Sequence, residues 1–245
     1  MNIHPIFALL LLGHVLGDFY LQSDGMAKEK KTGLKWLVAH GMIYAACMAS
    51  VLFIGVAYSR DLLWIFLAAS ILHLTVDLFK CKWFIEHKKI FSLDQLVHLA
   101  FLSLIWFIWG NGLVARGFVE YQLTHLPKSL LLIVLGLLYI WQPVGLLIKN
   151  GDIWDLSKTE EKSDGTQKGA GQMIGYLERT IVFFLLLYAQ YSAISFVIAA
   201  KSVIRFPEIS QSSQKRALAE YYLIGTLLSM TSVFVVAVLL GLIKS

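Results

Sequence analysis

GHVLGDFYLQ, residues 13–22, places His14 and Asp18 four residues apart inside a run of leucines. Ionisable side chains are expensive in an apolar span, so a pair of them marks either a site or a polar tie between helices. The same H-x-x-x-D spacing returns at His73 and Asp77 in ILHLTVDLF, residues 71–79. Positions i and i+4 are neighbours on a helix surface, so each pair shares one face. His40 lies in WLVAHGMIY, residues 36–44, and SLDQLVHLA, residues 92–100, carries Asp94 and His98 in reverse order. His73 follows His14 by 59 residues and His98 follows His40 by 58, with LVAH echoed by LVH. Two copies of one helical hairpin are expected, and repeated units of this kind often meet at a central site.

The rest of the chain supplies the setting. Of 245 residues, 58% are hydrophobic and 15% charged, with a mean hydropathy of +0.69. A soluble domain of this size cannot hide that much apolar surface, whereas a bilayer accepts it. The expected fold is all-α, a polytopic transmembrane helix bundle of about seven spans near 5–23, 35–58, 62–83, 92–110, 128–148, 180–200 and 217–243. The whole chain, 1–245, reads as one membrane domain. Residues 1–110 form the two hairpins, and 111–245 form three further spans with a polar loop at 149–172. The first span lacks a basic leader and a small-residue cleavage site, so it is expected to be retained. Cys47 and Cys81 have no metal-type spacing and read as small buried hydrophobes.

Lysines gather in the 24–35, 80–89 and 149–172 segments, which the positive-inside rule assigns to the cytoplasm. The N-terminus then faces outward and the C-terminus faces the cytoplasm. Lys201, Arg205, Lys215 and Arg216 break this pattern unless the sixth segment is broken or re-entrant, which is tolerated where backbone packs against protein. The net charge of +5 suits an anionic inner leaflet. The lysines are split among loops with no continuous basic face, so no nucleic-acid partner is expected. With this orientation His14, Asp18, His40, His73, Asp77, Asp94 and His98 all fall in the cytoplasmic half of the bilayer.

Imidazole and carboxylate together suit zinc, iron or manganese, and this many groups would suit two ions bridged by a carboxylate. His14, Asp18, His40, His73, Asp77 and His98 are the expected metal ligands. Asp94 joins them and, with Gln95, makes the candidate catalytic pair; Gln22 is a candidate second partner or substrate contact. The plainer reading of any one pair is an interhelical hydrogen bond. In the later spans, IGYLERTIV supplies Glu178 and Arg179, and AAKSVIRFPE supplies Lys201 and Arg205 on one helical face. These four are candidate contacts for an anionic substrate, against helix-end pairing and snorkelling to headgroups.

GHVLGDFYLQS, LDQLVHL, IGYLERTIV, AKSVIRF and AEYYLIGTLLS together resemble a bacterial multi-pass membrane family of unknown function, often found beside genes for SatD-like regulators. The resemblance runs across nearly the whole chain and implies the bacterial inner membrane, without an established activity. More weakly, the His/Asp blocks resemble bacterial membrane-bound metal-dependent hydrolases, although an L-P-D-x-D-H segment is missing. Three functions stay open. The first is a metal-dependent hydrolase acting on a lipid-like or amphipathic substrate from the cytoplasmic leaflet. The second is a divalent-cation or proton-coupled transporter, and the third a structural membrane subunit. Membrane lipid is the expected partner.

Overall fold

The computed structural model describes residues 3–31, 33–56, 58–83, 91–110, 127–149, 169–209 and 213–243, with the side chains of 83, 149, 170, 202 and 204–222 outside the described set. These residues are helical, without strands. They fall into two compact units, Asn2–Leu135 and Gly136–Ser245.

In the first unit, α1 (Pro5–Val15) runs directly into a π-helical turn at Leu16–Tyr20. Pro5 suits the first helical turn, where its missing N–H is not needed, and His4 Nδ1 accepts the Ile6 N–H. A short α2 (Asp24–Glu29) leads to α3 (Leu34–Gly55), α4 (Arg60–Trp83) and α5 (Phe91–Ile105), which ends in a second π turn at Trp106–Gly110. α1 packs on α3, α3 on α4, α4 on α5 and α5 on α1, so the four long helices close into a ring. A Cβ at Gly13 would come within 2.9 Å of Met48, and one at Gly17 within 2.9 Å of Tyr44. These two small residues, one turn apart, let α1 lie close against α3.

The ring has two ends of different character. Ile6, Leu10, Met48, Leu52, Leu62, Ile65 and Ile105 fill one end with buried apolar side chains. The other end holds His14, His40, His73, Asp77, Asp94 and His98, all buried. Outward, Met42, Ile54, Trp64, Ile71, Leu96 and Phe107 are exposed. A polar core inside an apolar coat is the arrangement a bilayer requires.

α6 (Lys128–Lys149) begins in the first unit and continues into the second, which is completed by α7 (Ala170–Leu187), α8 (Tyr191–Ile209) and α9 (Ser213–Leu239). Gly136 lies beside Phe183 and Gly145 beside Tyr176, so α6 and α7 are antiparallel. The chain then turns at Tyr188–Gln190. Ala189 takes a left-handed φ of 54°, Gln190 N–H donates to Leu185 O and Ala189 N–H to Leu186 O, which is the Schellman way of ending a helix. α8 folds back along α7, bringing Lys201 Nζ within 2.6 Å of Glu178 Oε2.

That turn corrects the expected span at 180–200: the segment is two helices, with its break near the middle. Four helices among the described residues are long and apolar enough to cross a membrane: Leu34–Gly55, Arg60–Lys82, Phe91–Gly110 and Lys128–Ile148. The expected seven are not found, because Pro5–Tyr20, Tyr191–Lys201 and Leu223–Leu239 are shorter apolar stretches. Leu240, just past the end of α9, lies beside Gly136 of α6.

Candidate metal centre

Each ring helix delivers polar side chains at the same level. α1 with its π turn and α4 run one way and carry their His/Asp pairs late; α3 and α5 run the other way and carry His40 and the Asp94/His98 pair early. His14–His98 and His40–His73, which would exchange under the expected repeat, both have ring centroids 5.3 Å apart.

Four side chains converge on one point. His40 Nε2 lies 3.2 Å from Asp18 Oδ1, 3.2 Å from Asp77 Oδ2 and 3.1 Å from His73 Nε2. His73 Nε2 lies 3.9 Å from Asp18 Oδ1 and 3.8 Å from Asp77 Oδ2. A tetrahedral ion with bonds of about 2.0–2.1 Å has ligand–ligand edges of about 3.3–3.4 Å, and the observed edges bracket that value. None of the four side chains is more than 9% exposed. Two imidazole nitrogens this close can share one proton, but the carboxylate oxygens then still face one another. A cation at the centre would be met by all four atoms, with the Lys30 ammonium beside it on Asp77 Oδ2.

A second group overlaps the first: Asp77, Asp94 and His98 offer ligand atoms within 4.8 Å of one another, so Asp77 belongs to both. His98 Nδ1 donates to the Asp94 carbonyl at 2.8 Å, which leaves Nε2 as the lone pair, the way metal-binding imidazoles are usually oriented. His98 Nε2 and Asp94 Oδ1 are buried and have no hydrogen-bond partner. Orphaned buried acceptors of this kind are costly and fit a bound cation.

Gln95 ties the groups together. Its Nε2 donates to Asp18 Oδ2 and Asp94 Oδ2, each at 3.3 Å, and its Oε1 accepts from His14 Nε2 at 3.3 Å. His14, expected as a ligand, is thus held by Gln95 and enters neither ligand group. Two lysines escaped the sequence reading. Lys30, 7% exposed, donates to Asp77 Oδ2 at 2.7 Å and to Gln22 Oε1 at 2.9 Å; Lys80 donates to Asp94 Oδ2 at 2.5 Å. In the sequence both look like solvated loop charges, and nothing in their spacing marks them. Tyr44 was missed too: its ring stacks on His73 at 3.5 Å, fixing the imidazole plane.

The remaining candidates lie in the second unit. Glu178 is paired with Lys201, and Arg179 points into the α6–α7 packing, where Nη2 donates to the Trp141 carbonyl at 3.3 Å. The Arg205 side chain falls outside the described residues.

Residues 6–137 match DUF3307, a protein family of unknown function. The chain belongs to that family. The DUF3307 match covers the four-helix ring almost end to end and contains every residue of the two candidate ligand groups. It ends at residue 137, at the very start of the second unit, so IGYLERTIV and the later blocks, expected to share in the resemblance, lie beyond it. No curated protein and no solved structure matches the chain.

Proposed function

We propose that the DUF3307 ring holds a divalent transition metal and uses it for hydrolysis of an amphipathic substrate. The observation that carries the metal is the convergence of Asp18 Oδ1, His40 Nε2, His73 Nε2 and Asp77 Oδ2 at near-tetrahedral spacing. Two nitrogen and two oxygen donors suit zinc, iron or manganese. A bound ion would supply Lewis acidity and lower the pKa of a water. Asp94 and His98 stand beside it through the shared Asp77 and are placed to move a proton, with Lys80 holding the Asp94 carboxylate. Gln95 orients both Asp18 and Asp94.

Charge limits the number of ions. Asp18, Asp77 and Asp94 face Lys30 and Lys80, so with neutral imidazoles the cluster is one charge short of balance. One divalent ion fits this better than the two that the count of ligands alone implied, because excess buried charge is costly.

Transport is the second reading, favoured by the completeness of the four-ligand set. Catalytic zinc sites usually keep one position open. A small cavity lined by Tyr44, Ala69, Leu72, His73, His98 and Phe101 lies on the apolar side of the cluster, where an ion path would have to run. In either reading the lysine-rich end of the ring faces the cytoplasm, in the inner membrane of a bacterium. α1, lengthened by its π turn, and the 27-residue α9 complete the crossings, and α7–α8 enters and returns.

Metal analysis of protein purified in detergent tests the shared premise; about one equivalent is expected, and none after gentle handling ends both readings. Ester and phosphoester substrates in mixed micelles, set against cation flux in proteoliposomes, then separate enzyme from transporter.

A further inference from the structure

Arg179 lies in the second unit, apart from anything the metal chemistry uses. It is 5% exposed, and its Nε has no hydrogen-bond partner. The guanidinium runs back along α7, as long helical side chains do, into the groove where α6 packs. A Cβ at Gly175 would sit 3.2 Å from Nη1, and one at Gly145 would sit 3.4 Å from Nη2. Two glycines, one on each helix, thus leave the room it occupies. The Tyr176 ring lies 5.5 Å from Cζ, and Trp141, whose carbonyl accepts from Nη2, is anchored by its own Nε1 donating to Thr180 Oγ1 at 2.8 Å.

This guanidinium makes no ion pair among the described residues, and the Glu178 carboxylate acts on it only from a distance. Glu178 is adjacent in sequence, but neighbouring positions do not face each other on a helix, and its carboxylate goes to Lys201. One carbonyl and one aromatic ring leave Nε without a partner, and a buried arginine without an ion pair is costly in a chain of this composition unless an anion meets it. Gly145 lies four residues, about 6 Å along the axis, before the end of α6 at Lys149, so the guanidinium sits near a helix end and not at mid-span.

We infer that Arg179, in the cradle of Gly145 and Gly175, is a binding site for a phosphate-type oxyanion. The free donors of a guanidinium form a planar fork matched to two oxygens of such a group. The oxyanion comes either from a lipid headgroup or from a soluble phosphate, and the chemistry of recognition is the same.

The test uses the full-length protein in detergent, with calorimetric titration of inorganic phosphate in one arm. The other arm uses mixed micelles of phosphatidylglycerol, with phosphatidylcholine as control. Saturable binding of inorganic phosphate identifies a soluble ligand; binding only of phosphatidylglycerol identifies a headgroup. Arg179→Gln and Arg179→Lys should both weaken binding by about tenfold or more, the lysine because it lacks the fork. Gly175→Ala keeps the charge and crowds the cradle, and it should also weaken binding; it decides the matter if Arg179→Gln does not fold. Failure of the wild-type protein to bind either probe overturns the proposal and makes a carboxylate of this chain the counter-charge. Unaltered binding in both Arg179→Gln and Gly175→Ala overturns it as well. Metal content, measured on the same samples, is expected to be unchanged, so this result stands or falls apart from the metal centre.

Discussion

Asp18 and Asp77 occupy the same position in their hairpins, four residues after a histidine, yet the fold uses them differently. Asp77 lies 3.2 Å from His40 and 2.7 Å from Lys30, and it belongs to both ligand groups. Asp18 belongs to one group and takes a hydrogen bond from Gln95. The histidines differ in the same sense: His73 faces the metal point with Tyr44 stacked on it, while His14 is turned to Gln95. At the 58-residue offset that relates His98 to His40, Asp94 and Gln95 fall opposite Trp36 and Leu37. One copy thus carries an extra carboxylate and amide. At the 59-residue offset, Gly13 and Gly17 of the first copy fall opposite Leu72 and Val76. The repeated spacing brings candidate ligands to one level, and the unrepeated residues decide which of them converge on one point.

Four measurements would break or sharpen this asymmetry. Asp77→Asn should have the largest effect, because it removes charge from both ligand groups and strands Lys30. Metal affinity should fall by more than about a hundredfold, beyond the range usual for outer partners, while membrane insertion persists. Equal loss in Asp18→Asn would show that the copies are equivalent after all; a smaller loss is expected there, read by metal content of matched preparations.

Next in size is Gln95→Leu, which leaves every ligand atom in place but unties Asp18, Asp94 and His14. A fall of about ten- to a hundredfold in metal affinity is expected. No change would mean that the amide merely fills space. Gly17→Ala should leave the ligands intact and act on packing, since its Cβ meets the Tyr44 ring at 2.9 Å. Overpacking of this kind costs about 1–3 kcal/mol, visible as a lower Tm, and Val76→Ala in the other copy should not show the same crowding. The smallest effect belongs to Lys201→Met, outside both hairpins. Its pair with Glu178 is partly exposed, so a loss of about 0–1 kcal/mol and full metal content are expected.

Much of this was legible in the chain because its causes are local. The i+4 spacing put His14 with Asp18 and His73 with Asp77 on shared faces, and the repeat offset predicted a common level for His40 and His98. The broken sixth segment was legible only as a conflict among loop charges. Its turn uses Ala189 in a left-handed conformation where glycine would have announced it, so LLLYAQYSA reads as continuous helix.

Composition and periodicity alone therefore determined an all-helical chain with long apolar helices and a polar level among them. These follow from desolvation and from the 3.6-residue repeat, which act on neighbours in sequence. Only the tertiary structure decided that His14 stands aside, that Asp77 is shared, and that Lys30 and Lys80 enter the cluster. Lys30 reaches Asp77 across 47 positions and Gln95 reaches Asp18 across 77. Such partners are chosen by which helices close the ring, and no local pattern carries that choice.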